Sequence, residues 1–417
     1  MPTISSHPLS KIRFSLFGLT LCLLSLSLLT GCTSQKNTTP IIFGQVVDRE
    51  IGQGPLNAVK LAVKEYNQTE NKPDRPMKVI QVTTGSSRAI FAGEAVRLTK
   101  INRVSSLIGG FNLEQTSGLE QDWVPVLSPS GLRSPTMSAH MFLTGLNSDF
   151  QGKVLAGFAA KRCCDKNEIT EINRTVASLT IHMSPFPTWM STFSIPVNKS
   201  TRVLVLVDTQ RTEYSAVADA FAREYREQIA KSNSILSEVD VWKYDNSVQL
   251  VEFANQLEDE KPDVLVIAGE VSAVAKVRLR FAVPHVPILY AGLDGTQIRL
   301  LNRQETRNNI YWATAWTIDA KTTENRQFVQ QYRKAFQQDP DVYAALEYDN
   351  TRILLHAFAK NGEHLTMTNM RKSLKNLKDF PILTGKTAFS EKGILTRSAY
   401  IVALENGQTK TLSHHNP

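Results

Sequence analysis

Beyond residue 40 the chain alternates two hydrophobic patterns. Short runs of consecutive apolar residues are separated by longer stretches in which apolar residues recur every three or four positions. The first run is Ile-Ile-Phe-Gly-Gln-Val-Val at 41–47, and residues 56–66 follow with Ala58, Leu61, Ala62 and Tyr66 at helical spacing. Gly52-Gln53-Gly54-Pro55 and residues 71–76 punctuate the sequence as loops. A second strand is expected at 77–82, a second helix at 89–101 and a third strand at Leu107 and Ile108. Strand alternating with helix in this way predicts an α/β fold built on a doubly wound parallel sheet.

Residues 142–149 read as extended and 151–160 as the start of a helix. The rhythm then fails over 162–199, which holds Cys163-Cys164 and Pro185-Phe186-Pro187-Thr188-Trp189 and predicts a long surface excursion. It returns with strands at 202–207, 237–244, 264–268, 287–291 and 310–314. Helices are expected between them at 216–232, 248–258 and 271–281, and afterwards at 328–336, 343–360 and 367–377. Residues 384–404 read as two strands joined through Ser390-Glu391-Lys392-Gly393.

Within this pattern, residues 105–136 stand out. One strand ends in Gly109-Gly110 and the next, 124–127, breaks at Ser128-Pro129-Ser130-Gly131. In a parallel sheet such ends lie side by side outside the carboxyl ends of the strands, where ligands bind. Their N–H groups and hydroxyls suit an anionic group such as a carboxylate. The same residues also fit an ordinary βαβ unit with no ligand at its turns.

The N-terminal segment breaks the α/β pattern and is set aside from the fold. Lys11 and Arg13 precede a short apolar stretch, 14–29, that ends in Leu29-Thr30-Gly31-Cys32. This is the layout of a secretory signal, and its end resembles the bacterial lipobox, in which the Cys is diacylated and becomes the mature N-terminus. Residues 1–31 are then a lipoprotein signal peptide, Cys32 the lipidation site and 32–40 a polar tether. Removing Lys11 and Arg13 lowers the formal charge from +8 to +6. The remaining charges are mixed, without the clustered basic face that nucleic acid requires. Of four cysteines, Cys22 leaves with the signal and Cys32 carries lipid. Cys163 and Cys164 have no ligand partners at metal spacing. They form a vicinal disulfide, pair with another chain or remain thiols in a solvated loop.

Six motifs in order resemble the type I periplasmic solute-binding proteins of the branched-chain amino-acid/amide class, which serve ABC transporters. Ala58-Val59 through Ala62-Val63 to Asn67 is similar to the family's first helix, and Leu107-Ile108-Gly109-Gly110 to its third strand end. Val124-Pro125-Val126-Leu127-Ser128-Pro129 resembles its I-P-x-I-S-P, and Phe142-x-Thr144 through Ser148-Asp149-x-Gln151-Gly152 its first crossover. Tyr348-Asp349, and Gly385 through Phe389 to Gly393, resemble two later motifs. The resemblance implies two Rossmann-like lobes with parallel sheets, joined by a three-crossing hinge near 144–149, 312–318 and 389–393. The first lobe would be 41–145 plus 318–390 and the second 149–312 plus 393–417, with 162–199 as an irregular insertion.

The resemblance also implies a ligand site. Its first-lobe residues would be Asn112, Leu113, Ser130, Gly131, Leu132 and Arg133. Leu113 and Leu132 replace hydroxyl residues usual in the family, so they cannot make the corresponding hydrogen bonds to a carboxylate. Arg133 either supplies a bidentate grip or is simply exposed. From the second lobe, Asp294 matches the family's acidic partner for an ammonium group, or satisfies its own turn backbone. Thr212 or Tyr214 stands where the family has an aromatic lid residue, and Glu270 follows a strand end at the cleft mouth.

No G-x-S-x-G, H-E-x-x-H or Walker loop occurs, the eight His are scattered, and His414-His415 reads as a solvated tail. The expectation is therefore not an enzyme, with no cofactor and no metal. It is a lipid-anchored, extracytoplasmic binding protein that captures a small amino-acid, amide or carboxylate solute and delivers it to an ABC permease. The competing expectations keep the fold: a lipoprotein that regulates another envelope protein, or a ligand sensor.

Overall fold

The computed structural model describes residues 39–69, 75–120, 124–164, 201–231, 238–280, 286–292, 309–362, 365–405 and 407–417. Cys32, the tether up to residue 38, most of the 162–199 excursion and Asp294 lie outside the described residues. The first strands and helices are β1 (Ile41–Asp48), α1 (Gly54–Gln68), β2 (Met77–Thr84), α2 (Arg88–Val96), β3 (Leu107–Gly109), α3 (Leu113–Leu119), β4 (Val126–Ser128) and β5 (Met141–Leu143). They form a five-stranded sheet of order β2-β1-β3-β4-β5, with every pairing parallel.

The chain then passes into α4 (Ser148–Cys164), β6 (Arg202–Asp208), α5 (Thr212–Lys231), β7 (Glu238–Tyr244), α6 (Ser247–Glu260), β8 (Val264–Ala268), α7 (Val271–Arg280), β9 (Ile288–Tyr290) and β10 (Ile310–Thr314). After them come α8 (Thr323–Phe336), α9 (Val342–Asn361), α10 (Met367–Lys375), a small hairpin of β11 (Phe380–Ile382) with β12 (Gly385–Thr387), and finally β13 (Ala399–Glu405) and β14 (Gln408–His415). The second sheet runs β14-β13-β10-β9-β8-β6-β7, with β13 antiparallel to both its neighbours.

The uninterrupted apolar runs are explained by burial on both faces. In β6, Val203, Val205 and Val207 pack toward α4 and α5, while Leu204 and Leu206 pack toward α6 and α7. The first sheet is covered likewise, with Phe43, Ile108 and Leu127 toward α1 and α9, and Val46, Leu107 and Val126 toward α2 and α3. Helix α9 therefore belongs to the first sheet although it follows β10 in sequence.

Three expectations need correction. Helix α4 runs through Cys163 and Cys164, so the pair closes a helix instead of lying in a loop. Residues 393–395 still lie along β5, with the Leu143 N–H donating to Gly393 O and the Leu395 N–H to Leu143 O, both at 2.8 Å. The chain joins the second sheet only at Ala399. His414 and His415 belong to the edge strand β14, where the His414 ring stacks on Tyr400 at 4.7 Å. Its Gln-Thr-Lys-Thr-Leu-Ser-His-His sequence is half-buried at most, so it carries no apolar alternation.

Where the crossings meet, Arg397 and Asp349 form an ion pair at 3.0 Å with both side chains wholly buried. Arg397 Nε also donates to Thr144 O at 2.9 Å, and the Leu383 N–H donates to Asp349 Oδ1 at 3.0 Å. Removing one member of such a pair leaves a charge buried without its partner. Asp349→Asn or Arg397→Met should each cost ~3–5 kcal/mol in urea unfolding, and the double replacement by apolar residues much less than the sum.

Two residues earlier on α9, burial pushes the Glu347 carboxyl up to about 8, while the Gln45 side chain donates to it at 3.3 Å. Folded protein thus retains a proton that the unfolded chain releases near the ordinary 4.5. Its contribution to stability falls as pH rises between these values, by up to ~1.4 kcal/mol per pH unit, and levels off above about 8. Chemical denaturation across this range should show that slope reduced in Glu347→Gln relative to the parent protein.

Candidate ligand-binding cleft

In both sheets the strand order reverses once, between β1 and β3 and between β6 and β8. At such switch points the carboxyl ends of parallel strands leave a crevice. The ends of β3 and β4 form the first wall. Gly109 and Gly110 have φ of 123° and 75°, and a Cβ on Gly109 would stand 2.0 Å from Val46 O, so only glycine lets β3 end there. The Ser128 hydroxyl donates to Gly110 O and lies 2.7 Å from the Thr116 hydroxyl. The two turns are thus stitched to each other by the hydroxyls that read as ligand donors.

The turn after β4 is bound as tightly to the first crossing. A Cβ on Gly131 would meet Leu146 O at 1.9 Å, and one on Gly145 would meet Pro129 O at 1.9 Å. The Ser148 N–H donates to Gly131 O at 3.1 Å. Ser130 is buried, with its N–H donating to Ser128 Oγ at 3.2 Å, and Leu132 is half-buried. Arg133 turns its guanidinium to backbone carbonyls, donating to Met141 O at 3.0 Å, Met137 O at 3.1 Å and Ser138 O at 2.7 Å. It fastens the loop between β4 and β5.

Asn112 caps α3, its Oδ1 accepting the Gln115 N–H at 2.9 Å. Gln115 accepts the Phe111 N–H at 3.0 Å and donates to Asp48 Oδ2, at the end of β1, at 2.9 Å. Leu113 packs its side chain on the core beneath, and its N–H donates to Glu213 Oε1 in the second lobe. This contact brings the two sets of strand ends together.

Around Glu213 the second wall is charged and aromatic. Glu213 is only 3% exposed, whereas its neighbour Thr212 is exposed. Tyr214 is buried, and burial together with the nearby Glu270 raises its hydroxyl pKa. Arg211 pairs with Glu270 at 2.9 Å and lies 6.0 Å from the centre of the Tyr214 ring. Behind them, the Tyr244 hydroxyl occupies the space over Gly269, where a Cβ would approach it to 2.3 Å. Burial and then Asp208 raise the Tyr244 hydroxyl in the same direction. Gln151 fixes the first crossing against the second sheet by donating to Gly292 O at 3.1 Å and Ala313 O at 3.3 Å.

The structure therefore gathers Leu113, Thr212, Tyr214 and Glu270 about the interlobe contact, and keeps Gly131 and Arg133 for backbone packing. Glu213, Arg211, Gln115 and Asp48 were absent from the expected set. Glu213 precedes the helix expected at 216–232, and its burial beside Leu113 of the opposing lobe has no local sequence signal. Among the described residues no group of three or more His, Cys, Asp or Glu could hold a metal ion, and no helix is long and apolar enough to cross a membrane.

Residues 204–409 match a family model described as periplasmic binding protein. No curated protein sequence matches the chain. Among solved structures it is similar to a leucine-binding protein from Thermotoga maritima, with a TM-score of 0.71 and 16% identity, covering 90% of this chain and 99% of that one. It is similar also to a branched-chain amino-acid transporter substrate-binding protein from Streptococcus pneumoniae in complex with isoleucine, with a TM-score of 0.68, 19% identity and coverage of 91% and 99%. An ABC-transporter solute-binding protein from R. palustris in complex with benzoate gives a TM-score of 0.68 at 13% identity, covering 91% and 97%. The matched family and these neighbours are binding proteins, not enzymes. The chain has the type I periplasmic binding protein fold, and residues 204–409 match a periplasmic binding protein model.

Proposed function

We propose that the chain is a lipid-anchored, extracytoplasmic solute-binding protein that takes a small polar solute between its lobes and delivers it to an ABC permease. The observation that carries this reading is the meeting of two strand-end walls at switch points, through Leu113 and Glu213. In this reading the lobes are 41–145 plus 318–390 and 149–312 plus 399–417, hinged at the Arg397–Asp349 pair. The wall residues are Asn112, Leu113, Ser130 and Leu132 on one side, and Thr212, Tyr214, Glu270 and Asp294 on the other. Fold neighbours in complex with isoleucine and with benzoate support a cargo of that size.

A second reading draws on the hydroxyls of Ser128 and Thr116, which are spent on each other and on Gly110. A cleft with few free donors also fits a lipoprotein that regulates another envelope protein, or a ligand sensor. Thermal-shift screening of the chain from Thr33 onward against amino acids, amides, amines and small acids separates these readings. Cargo at a hundred times its Kd should add about 2.7 kcal/mol of stability. Flat curves across the library, together with envelope partners captured by the same chain, would replace solute delivery by regulation. Anchoring has its own outcome: the full chain should enter the detergent phase on cloud-point partition, and Cys32→Ala should move it to the aqueous phase. An unchanged partition would remove the lipid.

A further inference from the structure

Glu213 is a carboxylate that the fold buries at the meeting of the lobes. It lies in the first turn of α5, 3% exposed, and crosses to accept the backbone N–H of Leu113. A carboxylate withdrawn from water is costly unless hydrogen bonds satisfy it. The donor it uses is a main-chain group at the end of a β3 turn whose own hydroxyls are already paired. The nearby charges do not neutralise it. Arg211, the neighbouring guanidinium, is in contact with Glu270 at 2.9 Å. Glu114, next to Leu113, adds a further exposed carboxylate. Asp48 is held by the Glu50 N–H at 3.0 Å and by Gln115 at 2.9 Å. The carboxylates of Glu270, Glu213 and Glu114 all act on the Arg211 guanidinium.

We propose that Glu213 is the specificity-determining residue of the cleft: its carboxylate fills the acceptor position at the Leu113 N–H, excludes solutes bearing a carboxylate there, and selects a small organic cation, an amine or guanidine. This inference rests on the solute-binding reading for its second half, but the place of Glu213 does not depend on it. An incoming carboxylate would have to displace Glu213 or lie beside it, and like charges in a desolvated cleft discriminate strongly. An ammonium or guanidinium group instead gains the carboxylates of Glu213 and Glu270. No bond is made or broken; the discrimination is electrostatic.

The test uses the chain from Thr33 onward, with Glu213→Ala and the size-preserving Glu213→Gln beside the parent. Sodium acetate reproduces the missing carboxylate. It should raise the melting temperature of Glu213→Ala in a saturable manner, against sodium chloride at equal ionic strength, and leave the parent unchanged. L-Leucine and benzoate should likewise bind Glu213→Ala and not the parent. Agmatine or putrescine should bind the parent and lose about tenfold or more in affinity in Glu213→Gln, equivalent to at least ~1.4 kcal/mol. Equal acetate effects on parent and Glu213→Ala, or leucine or benzoate binding to the parent as tightly as to the variant, would overturn the role of Glu213. Acetate rescue without amine binding would uphold its place at the Leu113 N–H and overturn the cation preference. If the parent also bound nothing in the wider screen, the solute-binding reading would be what had failed.

Discussion

The ion pair of Arg397 with Asp349 is the constraint on which the two-lobed arrangement depends. It joins segments widely separated in sequence: the third crossing, the core helix α9 and, through Thr144 O, the first crossing. A charged pair at full burial tolerates little displacement, because each partner's desolvation is offset only by its fixed neighbours. The pivot is therefore stiff at the centre, and any change of angle between the lobes falls to the short connections around it. The close approaches of Gly131 to Leu146 O and of Gly145 to Pro129 O place a second rigid contact at the same level.

That rigidity has an effect on the cleft. The turns after β3 and β4 are bound to each other, to the first crossing and to β1 before any solute arrives. Preorganised walls of this kind lose little entropy on binding. They also leave few unpaired donors, so that in the proposed function recognition falls to the second wall, where Arg211, Glu213, Tyr214 and Glu270 cluster around the start of α5 and the end of β8. The division of labour is between a first wall that is shaped and a second that is charged.

Much of the fold is legible in the residues. The runs at 41–47, 202–207 and 264–268 are largely apolar because helices cover both faces of each sheet, and the glycine-rich breaks after β3 and β4 mark places where backbones touch. Features set by distant partners are less legible. Arg133 reads as a potential anion grip, yet carbonyls at 137–141 take its donors. Glu213 precedes the helix expected at 216–232 and carries no signal until Leu113 is set against it. β14 is polar apart from Leu412, so its strand character comes from pairing with β13 and from Gly407, whose φ of 75° opens the turn. The ring contact of His414 with Tyr400 is likewise invisible to periodicity.

The position of α9 bears on how the molecule is assembled. Its side chains complete the core beneath β1, β3 and β4, yet it is made only after the whole parallel part of the second sheet. The first lobe is consequently a non-contiguous unit: strands from 41–143 wait for a helix at 342–361 and for Arg397. Loops of that length must close before the contacts that stabilise them form, which raises contact order and slows folding. An N-terminal segment emerging alone has no finished core to collapse onto. Completion of the first lobe is thereby deferred until residues 342–397 have been made.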